Sequence, residues 1–125
     1  HDGARPCFDE AMLQRGLDAA AEFGSAIAGV PVKDTIKLVS TAQMVTETLD
    51  RSLLWAAQTP QIFRYTLLSE AYRDCTQDVT DDAAMIESLG HPVKMFLGAF
   101  RNIKVTTAED LIIAEEFLKS ASSYI

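Results

Sequence analysis

Asp50-Arg51-Ser52-Leu53-Leu54-Trp55-Ala56-Ala57-Gln58-Thr59-Pro60-Gln61-Ile62-Phe63 is the densest chemistry in this chain of 125 residues. It holds the only Trp, a permanent cation in Arg51, and a Thr-Pro-Gln step that follows an apolar run from Leu53 to Ala57. Pro60 fixes its own φ and drives Thr59 towards an extended conformation, so the Thr59 hydroxyl and the amides beside it are held in one orientation. Arg51 offers a rigid planar fork suited to a carboxylate or a phosphate. An ordinary loop packed on Trp55 accounts for the same residues. The surroundings of the stretch decide between the two.

On its N-terminal side, the runs Thr35 to Val39 and Met44 to Leu49 are rich in β-formers and separated by Ser40-Thr41-Ala42-Gln43, which predicts a hairpin. Lys37, Thr46, Glu47 and Thr48 make it too polar for a core pair, so it reads as a projecting arm over about residues 33–51. Ser25 to Val32 is short, small and apolar, a buried strand that Pro31 ends. Before it, Met12, Leu13, Leu17, Ala20, Ala21 and Phe23 recur at helical spacing over Phe8 to Phe23, with Gly24 as the stop.

On the C-terminal side, Tyr65 to Cys75 predicts a helix with Leu67, Leu68, Ala71 and Tyr72 inward. Thr80 stands at an N-cap position, with Asp81 and Asp82 favourable at the positive end of a short helix from Ala83 to Leu89, closed by Gly90. Val93 to Leu97 alternates as a strand, and Asn102 to Thr106 reads as a further short β-like step. Thr107 and Asp110 make a capping box for a last helix carrying Leu111, Ile112, Ala114, Phe117 and Leu118. Strands alternating with helices in a chain of this length predict one α/β layered domain.

Composition narrows the functions. A net charge of −7 argues against a general nucleic-acid or membrane-surface role, which needs many Lys and Arg contacts. No apolar run approaches a bilayer span. An acidic protein can still bind phosphates with a few placed cations. Cys7 and Cys75 lack metal or redox spacing and read as reduced thiols of a cytosolic protein. With His1 and His91 the only histidines, a zinc site or a Ser-His arrangement is poorly supported.

The opening His1-Asp2-Gly3-Ala4-Arg5-Pro6 looks like the end of a strand whose body lies upstream. Asp2 and Arg5 then fall on a turn at a strand end, where open α/β sheets place ligands. Asp2 can hold a hard divalent cation and Arg5 a phosphate, although a local Asp–Arg ion pair is the plainer alternative. Thr35 and its neighbours can be merely the solvated base of a hairpin, Thr80 merely a helix cap, and Lys104 a surface lysine snorkelling past Ile103 and Val105.

Taken in order, residues 1–6, Pro-Val-Lys-Asp-Thr-Ile-Lys (31–37), the opening stretch (50–63), Thr-Asp-Asp-Ala (80–83) and Asn-Ile-Lys-Val-Thr (102–106) form a specific series. That series closely resembles the C-terminal half of the 2-C-methyl-D-erythritol 4-phosphate cytidylyltransferase family. The resemblance implies a Rossmann-like nucleotidyltransferase sheet with a projecting arm, through which two copies form a homodimer. It implies transfer of CMP from CTP to methylerythritol phosphate with release of pyrophosphate, assisted by Mg²⁺ or another divalent cation. The setting implied is non-mevalonate isoprenoid synthesis, in a bacterial cytoplasm or a plastid stroma.

The same resemblance implies the roles of single residues. Asp2 is expected as the catalytic carboxylate on the metal and substrate side, and Lys104 as the lysine that stabilises the reacting phosphates. Arg5 is expected on the methylerythritol phosphate, Thr59 and Thr80 on its hydroxyls, and Thr35 and Arg51 on its phosphate from the partner subunit's arm. The family's N-terminal half, with its Gly-rich nucleotide loop, falls outside these residues. The sequence is therefore expected to be a fragment, inactive by itself and prone to associate. Nucleotidyl transfer rests on positioning and charge stabilisation rather than a covalent intermediate, which agrees with the sparse His and Cys inventory. A ribitol-phosphate cytidylyltransferase shares the Thr-Pro-Gln and Asn-Ile-Lys patterns, while Leu54-Trp55-Ala56-Ala57 and Pro31-Val32-Lys33-Asp34 favour methylerythritol phosphate. A non-catalytic dimerisation module is the alternative from a different class.

Overall fold

Ser25 to Val30 is a run of small and branched residues, all buried, and a strand this apolar on both faces must sit between layers. The computed structural model describes residues 1–76 and 78–122. Their order is α1 (Glu10–Phe23), β1 (Ser25–Pro31), β2 (Lys37–Val39), β3 (Val45–Thr48), β4 (Trp55–Phe63), α2 (Tyr65–Asp74), α3 (Asp82–Ser88), β5 (Lys94–Leu97) and α4 (Ala108–Ser122). β1 is the middle strand of a mixed sheet, with β4 antiparallel on one side and β5 parallel on the other. This is the α/β class read from the alternation of elements.

α1 begins later than its apolar residues suggest, because the Asp9 carboxylate caps it by accepting the Met12 N–H at 2.8 Å. Gly24 ends it in the left-handed region at φ 89°, a conformation that favours glycine. Its buried face is Met12, Gly16 and Ala20, one helical turn apart, packed on Ala26, Ala28, Ile62 and Phe96. Leu17 and Phe23, which share the helical spacing, stay exposed. On the opposite side, Ala71 of α2 and Met85 and Ile86 of α3 pack with Phe63, Leu67, Leu68 and Val93. Tyr72 is exposed rather than inward, and its hydroxyl donates to Asp82 Oδ1 at 2.8 Å.

The sequence reading assigned no strand to residues 55–63, yet they form the longest strand among the described residues. Pro60 is tolerated there because the ladder is broken around it. Register pairs run Ile27↔Gln61 and then Gly29↔Ala57, so a two-residue advance on β1 faces a four-residue advance on β4. Pro60, which has no N–H to pair, sits in that bulge.

β2 and β3 form a separate two-stranded sheet with every residue exposed. Thr35 and Leu49 lie just outside its strands. Three further expectations are corrected. The N-cap of α3 is Asp81, whose Oδ1 accepts the Ala84 N–H at 2.7 Å, and not Thr80. Asn102 to Thr106 is irregular rather than β-like. Tyr65 to Cys75 ends one residue early, with Cys75 as the cap. The Thr107–Asp110 box is formed, Asp110 Oδ2 accepting the Thr107 N–H at 2.9 Å while Thr107 Oγ1 accepts the Asp110 N–H at 3.2 Å. No helix among the described residues is long and apolar enough to cross a membrane.

Candidate active site

The bulge in β4 releases Gln58 and Thr59 from pairing with β1 and makes them available to other partners. Thr59 Oγ1 accepts the backbone N–H of Asp2 at 3.0 Å and lies 3.2 Å from His1 Nδ1. Residues 2–5 form a turn closed by the Arg5 N–H on the Asp2 carbonyl at 3.0 Å. Within it, the Ala4 N–H donates to Asp2 Oδ1 at 3.1 Å. Asp2 Oδ2 meets Lys104 Nζ at 3.2 Å. Among the described residues the partner of Asp2 is therefore Lys104, and not Arg5 as the plainer sequence reading had it.

The Asp2 carboxyl is held below its ordinary range, first by the Ala4 N–H and then by Lys104. Arg5 turns its guanidinium inward, where Nη1 donates to the Asn102 carbonyl at 2.7 Å. Burial works against its charge and the Asp2 carboxylate supports it. Arg5 Nε is buried with no partner among the described residues.

Asp2 and Thr59 border a cleft of about 280 Å³ that is lined also by His1, Gln61, Asp81 and Asp82. Three carboxylates, a hydroxyl and an amide make it a surface for the hydroxyl groups of a small polar molecule. The Lys104 side chain is 53% exposed beside Asp2.

The structure brings together Asp2, Arg5, Thr59 and Lys104. It does not bring Thr35 and Arg51 to them. Both are exposed at the base of the hairpin, where the Arg51 guanidinium donates to the Lys33 carbonyl and Lys33 Nζ lies 3.7 Å above the Phe100 ring. Thr80 lies beside Asp81 and is not among the lining residues.

Gln61, Asp81 and Asp82 were missed as cleft residues, and His1 was set aside. Gln61 lies two residues from Thr59 on β4, a spacing that puts both on one face, but only once residues 55–63 are known to be a strand. Asp81 was explained by capping alone, yet its Oδ2 also accepts from Gln61 Nε2 at 3.0 Å.

The sequence model of the 2-C-methyl-D-erythritol 4-phosphate cytidylyltransferase (IspD) family matches residues 1–120. The family's protein from Syntrophotalea carbinolica is 51% identical over 127 aligned positions, covering 99% of this chain and 54% of the relative. That from Dehalococcoides mccartyi (strain 195) is 50% identical over 119, covering 95% and 52%. Among solved structures, the cytidylyltransferase from Thermus thermophilus superposes with a TM-score of 0.85 at 33% identity, covering 95% of this chain and 60% of that one. The Anaerococcus prevotii 4-diphosphocytidyl-2C-methyl-D-erythritol synthase does so with a TM-score of 0.84 at 32% identity, covering 95% and 57%. The chain spans about half the length of the curated relatives it matches. A mixed sheet whose bulged strand presents Thr59 to Asp2 and Lys104, together with these matches over nearly its whole length, makes the chain a member of the 2-C-methyl-D-erythritol 4-phosphate cytidylyltransferase family.

Proposed function

We propose that the full-length protein transfers CMP from CTP to 2-C-methyl-D-erythritol 4-phosphate and releases pyrophosphate. The observation that carries this reading is the 3.2 Å Asp2–Lys104 pair beside the cleft, assembled from opposite ends of the described chain next to the Thr59 hydroxyl. An oxygen of the substrate phosphate forms a bond to the α-phosphorus of CTP as the bond to the β-phosphate bridge breaks, and pyrophosphate leaves with the electron pair. A phosphate monoester is already ionised near neutrality, so no general base is needed. Lys104 opposes the negative charge that grows on the phosphoryl oxygens in the transition state. Arg5 is assigned to the substrate phosphate through guanidinium N–H groups other than the one on the Asn102 carbonyl. Thr59, and Thr80 beside the cleft wall, serve the substrate hydroxyls.

The donor set fits a Mg²⁺-type ion. Asp2 lines the cleft with a carboxylate, and such ions are often held by one or two carboxylates, water and substrate phosphates. Asp2 would hold it, and when bound it neutralises charge on the triphosphate. Thr35 and Arg51, remote from Asp2 in their own chain, are assigned to the cleft of a partner in a homodimer. The exposed apolar side chains of the hairpin, Leu38, Val39, Met44 and Val45, support that arrangement. A bacterial cytoplasm is the proposed compartment, in keeping with the bacterial relatives. The acidic balance speaks for no nucleic-acid or membrane partner.

The test is CMP transfer by the full-length enzyme to methylerythritol phosphate and, side by side, to ribitol phosphate. Turnover with the first and little with the second is expected. Lys104→Ala should lower kcat by about 10²-fold or more with a smaller change in KM, as for other lost transition-state contacts. A change of only a few-fold would leave Lys104 a surface residue.

A further inference from the structure

Lys104 lies in an irregular segment, so neither helix nor ladder holds it in place. Two residues before it stands a buried side chain. Asn102 is fully buried in a chain where Ser25 and Gln58 are the other buried polar residues named among the described ones. Its Nδ2 donates to the Thr59 carbonyl at 2.8 Å and to Gln58 Oε1 at 3.1 Å, the two residues that the β4 bulge sets free. Its backbone carbonyl receives Arg5 Nη1 at 2.7 Å, and its N–H closes a turn onto the Ala99 carbonyl at 3.1 Å. Gln58 Nε2 reaches that same Ala99 carbonyl at 2.9 Å, which ties the start of the segment to β4. On the far side, the Val105 N–H donates to the Ala4 carbonyl at 2.8 Å. Residues 2–5, 58–59 and 99–105 are thus joined through Asn102, and the last of these segments carries Lys104.

We infer that Asn102 is a positioning residue for the proposed transfer, setting Lys104 against Asp2 and Arg5 by clamping the segment before Lys104 to the bulge of β4. This rests on the cytidylyltransferase reading of the site. The chemistry requires an amide. Two of the three acceptors facing Nδ2 are oxygens, the third being Met12 Sδ at 3.9 Å, so Asp in its place sets a buried oxygen against oxygens, and Ala leaves the Thr59 carbonyl without this donor. Misplacement by about 1 Å costs about 10²-fold in rate, whereas a residue needed only for folding changes the amount of active enzyme.

The experiment uses full-length enzyme with Asn102→Ala, Asn102→Asp, Lys104→Ala and the two doubles. Asn102→Ala and Asn102→Asp should each lower kcat by about 10²-fold. Adding either to Lys104→Ala should cost no more than about threefold further, because Asn102 acts through Lys104. A second reading needs no turnover: the rate at which an amine-reactive acylating reagent modifies Lys104, followed by mass spectrometry. It should rise in Asn102→Ala to about that of Asp2→Asn, while labelling of Lys33 and Lys94 stays unchanged. Should the Asn102 variants fail to fold, Gln58→Met removes one of the two oxygen acceptors and should give about a tenfold loss with the same non-additivity. Losses that multiply in the doubles, or labelling that rises at all three lysines together, would overturn the inference. A harmless Lys104→Ala would overturn the functional reading of that lysine and the inference with it. Absence of CMP transfer with selective Lys104 labelling retained would overturn the functional reading alone.

Discussion

At Asp2, the Ala4 N–H on one carboxylate oxygen and the Lys104 ammonium on the other both favour the charged form. The folded-state pKa therefore lies below the ordinary 3.8. A depressed carboxylate stabilises the fold above its unfolded value, and that contribution is lost as pH falls through the folded one. Asp2→Asn keeps an acceptor for Ala4 but loses the charge facing Lys104. The wild-type advantage over Asp2→Asn in denaturant unfolding should thus be constant from neutral pH down to about 5, shrink below 3.8, and disappear at lower pH. A gap that instead widens towards acid would mean that Asp2 is not stabilised as the anion.

Among the elements, α1 shows how a missing side chain sets the distance between layers. A Cβ at Gly16 would stand 2.6 Å from Phe96 Cζ and 2.7 Å from Ile62 Cδ1, too close for either to stay where it is. Ala in a helix interior gains about 0.5–1 kcal/mol over Gly, while overpacking a tight core costs about 1–3 kcal/mol. The second effect should win at Gly16. Gly16→Ala is expected to destabilise the protein by about 1 kcal/mol, read as a lowered denaturant midpoint. A stabilised variant would show that the interface between α1 and the sheet is loose. β4 makes the complementary point. Its broken register costs ladder hydrogen bonds at Gln58 and Thr59, and their carbonyls take side-chain donors instead, Gln61 Nε2 on Gln58 at 3.4 Å and Asn102 Nδ2 on Thr59 at 2.8 Å.

For the whole molecule, Asp2 and Thr59 line the cleft and Arg5 and Lys104 stand beside Asp2, while Thr35 and Arg51 stand apart at the hairpin base. A lone two-stranded hairpin is marginal in water, and this one exposes Leu38, Val39, Met44 and Val45. In the proposed homodimer each cleft takes Lys104 from one chain and Arg51 from the other. Full-length Arg51→Ala and Lys104→Ala homodimers should then each be nearly inactive, and refolding them together should restore about a quarter of wild-type activity, as two-fold symmetry requires. Half of the dimers are mixed, and each of those has one intact site of two. No recovery after verified subunit exchange would place Arg51 in its own chain's site.

Much of the chain was determined by local sequence. The α1 stop at Gly24, the buried strand β1, the hairpin and the Thr107–Asp110 cap follow from steric, hydrophobic and capping preferences that act within a few residues. The motif series also carried the family, and it singled out Asp2, Thr59 and Lys104, which the fold brings together. Tertiary structure alone decided the rest. Residues 55–63 are a strand because β1 supplies a partner on one edge and a bulge receives Pro60, neither of which is visible in a Pro-containing stretch. Asn102 to Thr106, β-like by composition, is irregular because its groups bond to the Ala4, Thr59 and Arg5 segments instead of to a neighbouring strand. Asp2 pairs with Lys104 and not with the nearer-in-sequence Arg5, since Asn102 draws the Arg5 guanidinium away from it. Such choices depend on contacts between residues far apart in sequence, and local preference does not encode them.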